Sequence, residues 1–120
     1  MTLQECYAAL GGDYAEVSSR LPTERMVQKF VLKFLNDGSY DLLVRSMEEQ
    51  NYAEAFRAAH TIKGVCQNLG FTRLYESSSA LSEAMRDGKP LQDPALLERV
   101  KADYQETAGA IRALQETLGV

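Results

Sequence analysis

The chain has little of what most catalytic and metal-binding sites are made from. It contains one histidine, His60, two cysteines, Cys6 and Cys66, and no tryptophan. One histidine without a Glu-x-x-His pair cannot build a di-iron bundle site, and two cysteines so far apart are poor zinc ligands, so no metal is expected. Two cysteines are also too few for a disulfide framework. Cys66 falls on an apolar stripe, so a buried free thiol and a reducing cytoplasmic home are expected. There is no glycine-rich phosphate loop and no strand pattern to carry one, which excludes the usual nucleotide sites, and no other cofactor is indicated. No Ser-His-Asp order and no converging carboxylate pair marks a catalytic pocket. Basic clusters are absent and the net charge is −4, which argues against nucleic acid as a partner. No apolar run approaches the roughly 18 residues of a membrane span, and no basic stretch precedes an apolar one at the N-terminus, so neither a membrane segment nor a signal peptide is expected.

What is present is ordinary globular material. At 45% hydrophobic and 25% charged, 120 residues suit one domain with a single core. Helical periodicity runs through nearly all of it. Thr2-x-x-Glu5 reads as a capping box for a short helix that Gly11-Gly12 ends. Asp13 caps a second short turn that closes near Arg20. Leu3, Tyr7, Leu10 and Val17 from these two pieces form a lid over one end of the molecule.

Pro22 suits the first position of the next helix, expected over 22–36. Met26, Val27, Phe30, Val31, Phe34 and Leu35 give it an inner face, with both phenylalanines in the core. Gly38 ends it and Ser39 caps its successor. The stretch 39–70 is helical in two pieces that meet at Gln50-Asn51, with Asn51 as the second cap and Gly70 as its stop. Thr72 caps a helix over 72–87, whose small serines, Ser77 and Ser78, allow a close neighbour. Asp93-Pro94 opens a helix over 94–118. Its Leu97, Val100, Tyr104, Thr107, Ile111, Leu114 and Leu118 recur as a bundle seam. Short connections imply antiparallel neighbours. The expected fold is all-α: an antiparallel up-and-down four-helix bundle with a short N-terminal helical lid.

The histidine stands apart from that core pattern. At about 100° per residue, Ala55, Ala58, Ile62, Val65, Cys66 and Leu69 gather opposite His60, while Lys63, Gly64 and Gln67 share its side. An imidazole on an exposed face is a nitrogen nucleophile available near neutral pH. Lys63, one turn on, pairs with any anion attached to that ring. Gly64 costs a helix about 1 kcal/mol relative to alanine, and clearance for another protein is the simplest reason for it. Gln67 offers hydrogen bonding at the same surface. Phe56, one turn earlier on nearly the same face, is either part of a docking patch or a contact to a neighbouring helix. Arg57 beside it suits acidic groups on a partner.

The run Ala59-His60-Thr61-Ile62-Lys63-Gly64, with Asn68, Leu69 and Gly70 after it, resembles the signature of histidine-containing phosphotransfer (HPt) domains. The resemblance extends over most of the chain, through helix order to the segment 74–86. It implies a four-helix bundle that carries a phosphoryl group on histidine between aspartates of receiver domains. His60 is then the phosphoacceptor, Lys63 the stabilising cation and Gly64 the access position. Such a protein is a carrier, not an enzyme, with magnesium chemistry supplied by receiver partners, and is expected as a monomer. The family often has Glu or Gln near Ser82 to orient the imidazole; Ser82 departs from that, which leaves the hydrogen bond to Gln67 or Ser79. Arg86 matches a frequent arginine. Phe56, Arg57, Ser82 and Arg86 make up the expected partner-binding surface.

Two rivals remain. One is a helical interaction module that carries no phosphate. The other is a histidine-kinase dimerisation helix, but Thr61 and Gly64-Val65 stand where that family has an acidic residue and a proline.

Overall fold

Local chemistry at the helix starts sets the element boundaries. The computed structural model describes residues 1–119. These form α1 (Leu3–Leu10), α2 (Tyr14–Arg20), α3 (Glu24–Lys33), α4 (Ser39–Glu48), α5 (Tyr52–Leu69), α6 (Thr72–Ala84) and α7 (Pro94–Leu118). Single 3₁₀ turns follow α3 (Phe34–Asn36) and α6 (Arg86–Gly88). No strand occurs among the described residues, so the all-α reading holds. Four expected caps are in place. Thr2 and Glu5 close a capping box, and Asp13, Asn51 and Asp93 each accept a backbone N–H of the first turn.

Three starts differ from expectation. Pro22 lies outside α3, because the Thr23 hydroxyl accepts from Met26 N–H at 3.1 Å, something proline cannot do. Ser39 is the first residue of α4 and not its cap; its N–H donates to the Asp37 carboxylate at 2.8 Å. Thr72 makes no cap either. The Arg73 N–H at the start of α6 donates to the Gly11 carbonyl at 3.0 Å, a partner distant in sequence. The Gln50-Asn51 junction is a full break, with Gln50 left-handed at φ 55°.

Helix α5 lies between α4 and α6, α6 also packs on α7, and α1 packs on α7. Alanines let α5 sit close to its neighbours: Ala55 and Ala59 are fully buried and Ala58 nearly so. Opposite them, Ser77 and Ser78 are buried on α6, and the Ser78 hydroxyl is satisfied by its own helix at Leu74 O (2.6 Å). Phe71 meets Phe34 edge-on at 5.3 Å and Tyr7 at 5.6 Å, joining the 3₁₀ turn after α3, α1 and the start of α6. In α7, Val100, Thr107, Ile111 and Leu114 are buried as the seam requires, whereas Leu118 is exposed on the last turn.

One core expectation fails. Phe34 is buried, but Phe30 is 38% exposed and Met26 37%. Val27, Val31 and Phe34 occupy the centre of the α3 stripe, and Phe30 and Met26 lie on its edge. The apolar arc is wider than the surface α3 presents to the core.

The N-terminal pieces bond to the end of α5. Four successive carbonyls at the end of α5 are satisfied from residues 7–20. The Tyr7 hydroxyl donates to Leu69 O (2.6 Å) and Asp13 N–H to Gly70 O (2.8 Å). Arg20 Nη2 donates to Gln67 O (3.0 Å) and Asn68 O (2.9 Å). The Asn68 and Leu69 carbonyls are ones that a helix C-terminus otherwise leaves open, and Gln67 O also accepts from Gly70 N–H (3.4 Å). The approach is close at Gly70: its φ is +70°, and an added Cβ would stand 2.8 Å from Asp13 O. Gly70→Ala is therefore expected to destabilise the protein by about 2 kcal/mol, read as a lower denaturant midpoint. An unchanged midpoint would show that the contact is not made.

Candidate functional site

Helix α5 presents two faces. Ala55, Ala58, Ala59, Ile62, Cys66 and Leu69 are buried, and Arg57, His60, Thr61, Gly64, Gln67 and Asn68 are exposed. The asparagine cap at one end and left-handed Gly70 at the other set the bounds of the helix that carries the histidine.

His60 is exposed, and its ring stacks on Phe56 with centroids 5.9 Å apart and planes 26° from parallel. Phe56 is half-buried and packs against the core one turn before His60. Of the two alternatives for Phe56, the contact toward the core is the one made. Among the described residues no group hydrogen-bonds either ring nitrogen. The expected orienting bond from Gln67 or Ser79 is not made. Gln67 lies two turns on, beside a groove lined by Glu16, Thr72, Tyr75 and Glu76.

One turn after His60, Lys63 is half-buried and makes no ion pair within bonding distance among the described residues. A Cβ built on Gly64 would meet nothing within 4 Å, so the surface beside the ring is open. Arg57 is exposed and paired with Glu54 on its own helix.

Helix α6 borders the Lys63 side. Ser82 is 4% exposed and belongs to the helix packing, so its expected place on a partner-binding surface does not suit this geometry. Arg86 is exposed and holds Glu83 with contacts of 2.7 to 3.2 Å. The Arg86 hydrogen bond, and then its charge, hold the Glu83 carboxyl below the usual carboxylate range, with smaller help from Lys63 and Lys89. Glu83 was not singled out in the sequence, although its spacing of three from Arg86 is the signal that finds it.

The opposite border belongs to α3. A groove between α3 and α5 is lined by Phe30, Lys33, Phe34, Val65, Asn68 and Leu69, and Lys33 Nζ stands 5.6 Å over the Phe30 ring. Phe30 and Met26 are thus exposed apolar groups on the helix next to the histidine helix, and sequence reasoning had assigned them to the core.

The remaining reactive groups are shielded. Both cysteines are free and buried. Burial pushes the Cys6 thiol up to about 11 and the Cys66 thiol well above its ordinary range. No helix among the described residues is long and apolar enough to cross a membrane.

The arrangement offers an exposed imidazole, an aromatic ring beside it, a cation one turn away and open space at Gly64. The family model of the Hpt domain matches residues 25–110, from the start of α3 into α7, and so includes His60. Comparison with curated proteins and with solved structures finds no match. Hpt domains are helical phosphoryl carriers, not enzymes, that work with receiver domains in phosphorelays. Because the match spans well over half of the 120 residues, the chain belongs to the Hpt domain family.

Proposed function

We infer that this protein is a phosphorelay carrier that takes a phosphoryl group onto His60 from a receiver-domain aspartate and passes it to another receiver. The observation that carries this reading is the exposed imidazole, seated on Phe56, with open space over Gly64 one turn away. The lone pair of His60 Nε2 attacks phosphorus as the aspartyl O–P bond breaks. The aspartate leaves as carboxylate and Nδ1 keeps its proton, so the ring becomes a phosphorylated imidazolium. Return or onward transfer reverses these events at the next aspartate. Lys63 pairs with the phosphoryl oxygens once the group is on the ring. The receiver contributes its own acidic cluster and Mg²⁺, which stabilise most of the charge during transfer.

The receiver lands on the exposed face of α5. Phe56, Arg57 and Gly64 lie under it, and Arg86 lies toward α6. On the other side, the exposed Phe30 and Met26 extend the surface with apolar area of the kind protein interfaces cover. Residues 1–120 act as one domain, monomeric and cytoplasmic, with no cofactor of its own. Mixing the protein with a phosphorylated receiver tests the reading. It is expected to acquire acid-labile, base-stable label while the receiver loses an equal amount. An acid-stable label, or none, would contradict it.

A further inference from the structure

The ring that takes a phosphoryl group changes charge as it does so. When Nε2 bonds phosphorus and Nδ1 keeps its proton, the imidazole goes from neutral to positive. Neither ring nitrogen has a hydrogen-bond partner among the described residues. The residues three positions away on either side along α5 are Arg57 and Lys63, both cations, and Arg57 is paired with Glu54. Lys63 suits the phosphoryl oxygens but repels a positive ring. Phe56 is different. Its ring centroid stands 5.9 Å from that of His60, with the planes 26° from parallel. That lies within the roughly 4.5–7 Å of aromatic pairs, and at the outer edge of the roughly 6 Å over which an aromatic face attracts a cation. Phe56 is half-buried and packs against the core, which restrains its ring, while the imidazole is exposed. A helical side chain leans over the turn before it, which brings the His60 ring back toward residue 56 and away from Gly64.

We propose that the π face of Phe56 stabilises the positively charged, phosphorylated ring of His60, and so sets how firmly the carrier holds its cargo. The proposal rests on His60 being the acceptor. The face of a phenyl ring is negative and its edge positive, so it attracts the imidazolium more strongly than the neutral imidazole. The contact therefore strengthens as the N–P bond forms, and it favours the phosphorylated carrier over the phosphorylated receiver. The near-parallel planes turn the faces of the two rings, and not their edges, toward each other. The phosphoryl oxygens project from the rim of the imidazole. Lys63 and Phe56 thus act on opposite charges of one group, the first on the oxygens and the second on the ring. The ring is exposed, so the effect on the transfer equilibrium is about two- to five-fold.

The test replaces Phe56 with phenylalanines carrying one, two and three ring fluorines, which keep the shape of the ring while draining its π face. Phe56→Leu and Phe56→Trp are made alongside. Each protein is mixed with a phosphorylated receiver, both partners dilute, and the ratio of phosphorylated carrier to phosphorylated receiver is measured at equilibrium. That ratio, unlike a rate, does not depend on how tightly the partners dock. It is expected to fall stepwise with each fluorine, and to fall about two- to five-fold in Phe56→Leu, while Phe56→Trp matches or exceeds wild type. The fluorinated proteins should melt with wild type, so a falling ratio at constant melting temperature is a result that a packing role alone would not produce. If Phe56→Leu fails to fold, the fluorinated series still decides. A ratio that stays level or rises across that series overturns the proposal and leaves the carrier reading standing. Absence of label on wild type itself overturns both.

Discussion

His60→Gln is expected to abolish phosphoryl acceptance from a phosphorylated receiver and to leave the fold almost unchanged. Glutamine keeps polarity and length but has no nucleophilic ring nitrogen, and no second histidine exists to take over. The ring is exposed and the aromatic ring near it is Phe56, so the stability change should stay under about 1 kcal/mol. For a chain of this size that is a shift of about 4 °C or less in melting temperature. Full loss of labelling at an unchanged melting temperature separates chemistry from folding. Residual label on the variant would mean another acceptor. A fall of several kcal/mol would mean that the ring supports the bundle.

The second large effect sits at Gly64, where stability and transfer should move in opposite directions. Space beside the backbone is open, so a side chain fits the free protein without strain. Gly64→Gln replaces a poor helix former with a good one and is expected to stabilise α5 by about 0.5–1 kcal/mol. The same side chain stands where a receiver must approach His60. Misplacing reacting atoms by about 1 Å can cost on the order of 100-fold in rate, and a drop of that size in transfer is expected. The measurement is a transfer rate alongside a denaturation midpoint. A variant that transfers at the wild-type rate would place the receiver elsewhere.

Much of this was legible in the sequence because it depends on local spacing. The Thr2, Asp13, Asn51 and Asp93 caps each act within three residues of themselves, and pattern reading finds them. The split of α5 into a buried alanine-rich face and an exposed His60 face follows from the helical period alone. What was missed depends on partners distant in sequence. Helix α6 starts on the Gly11 carbonyl and needs no threonine cap, which no window around Thr72 can reveal. Phe30 and Phe34 look alike in sequence, but the apolar arc of α3 exceeds the area its neighbours cover, and the edge residue stays outside. On α5, the placing of His60 and Gly64 on the exposed side, with Lys63 half-buried beside them, was readable from spacings of three and four. The support under the ring was not. A hydrogen bond from Gln67 or Ser79 was expected, and the contact found is an aromatic one with Phe56. Ser82 was read as flank because its depth depends on how α6 rolls against α5, and it is buried.

The account turns on one nitrogen being a stop between two aspartates. The most direct measurement isolates the protein after labelling by one receiver, maps the phosphoryl group by mass spectrometry under alkaline conditions, and then adds a second, unphosphorylated receiver. The account predicts the group on His60 alone, followed by its disappearance from His60 as the second receiver gains it. A phosphoryl group found on another residue, or one that stays on His60 against every receiver offered, would contradict it.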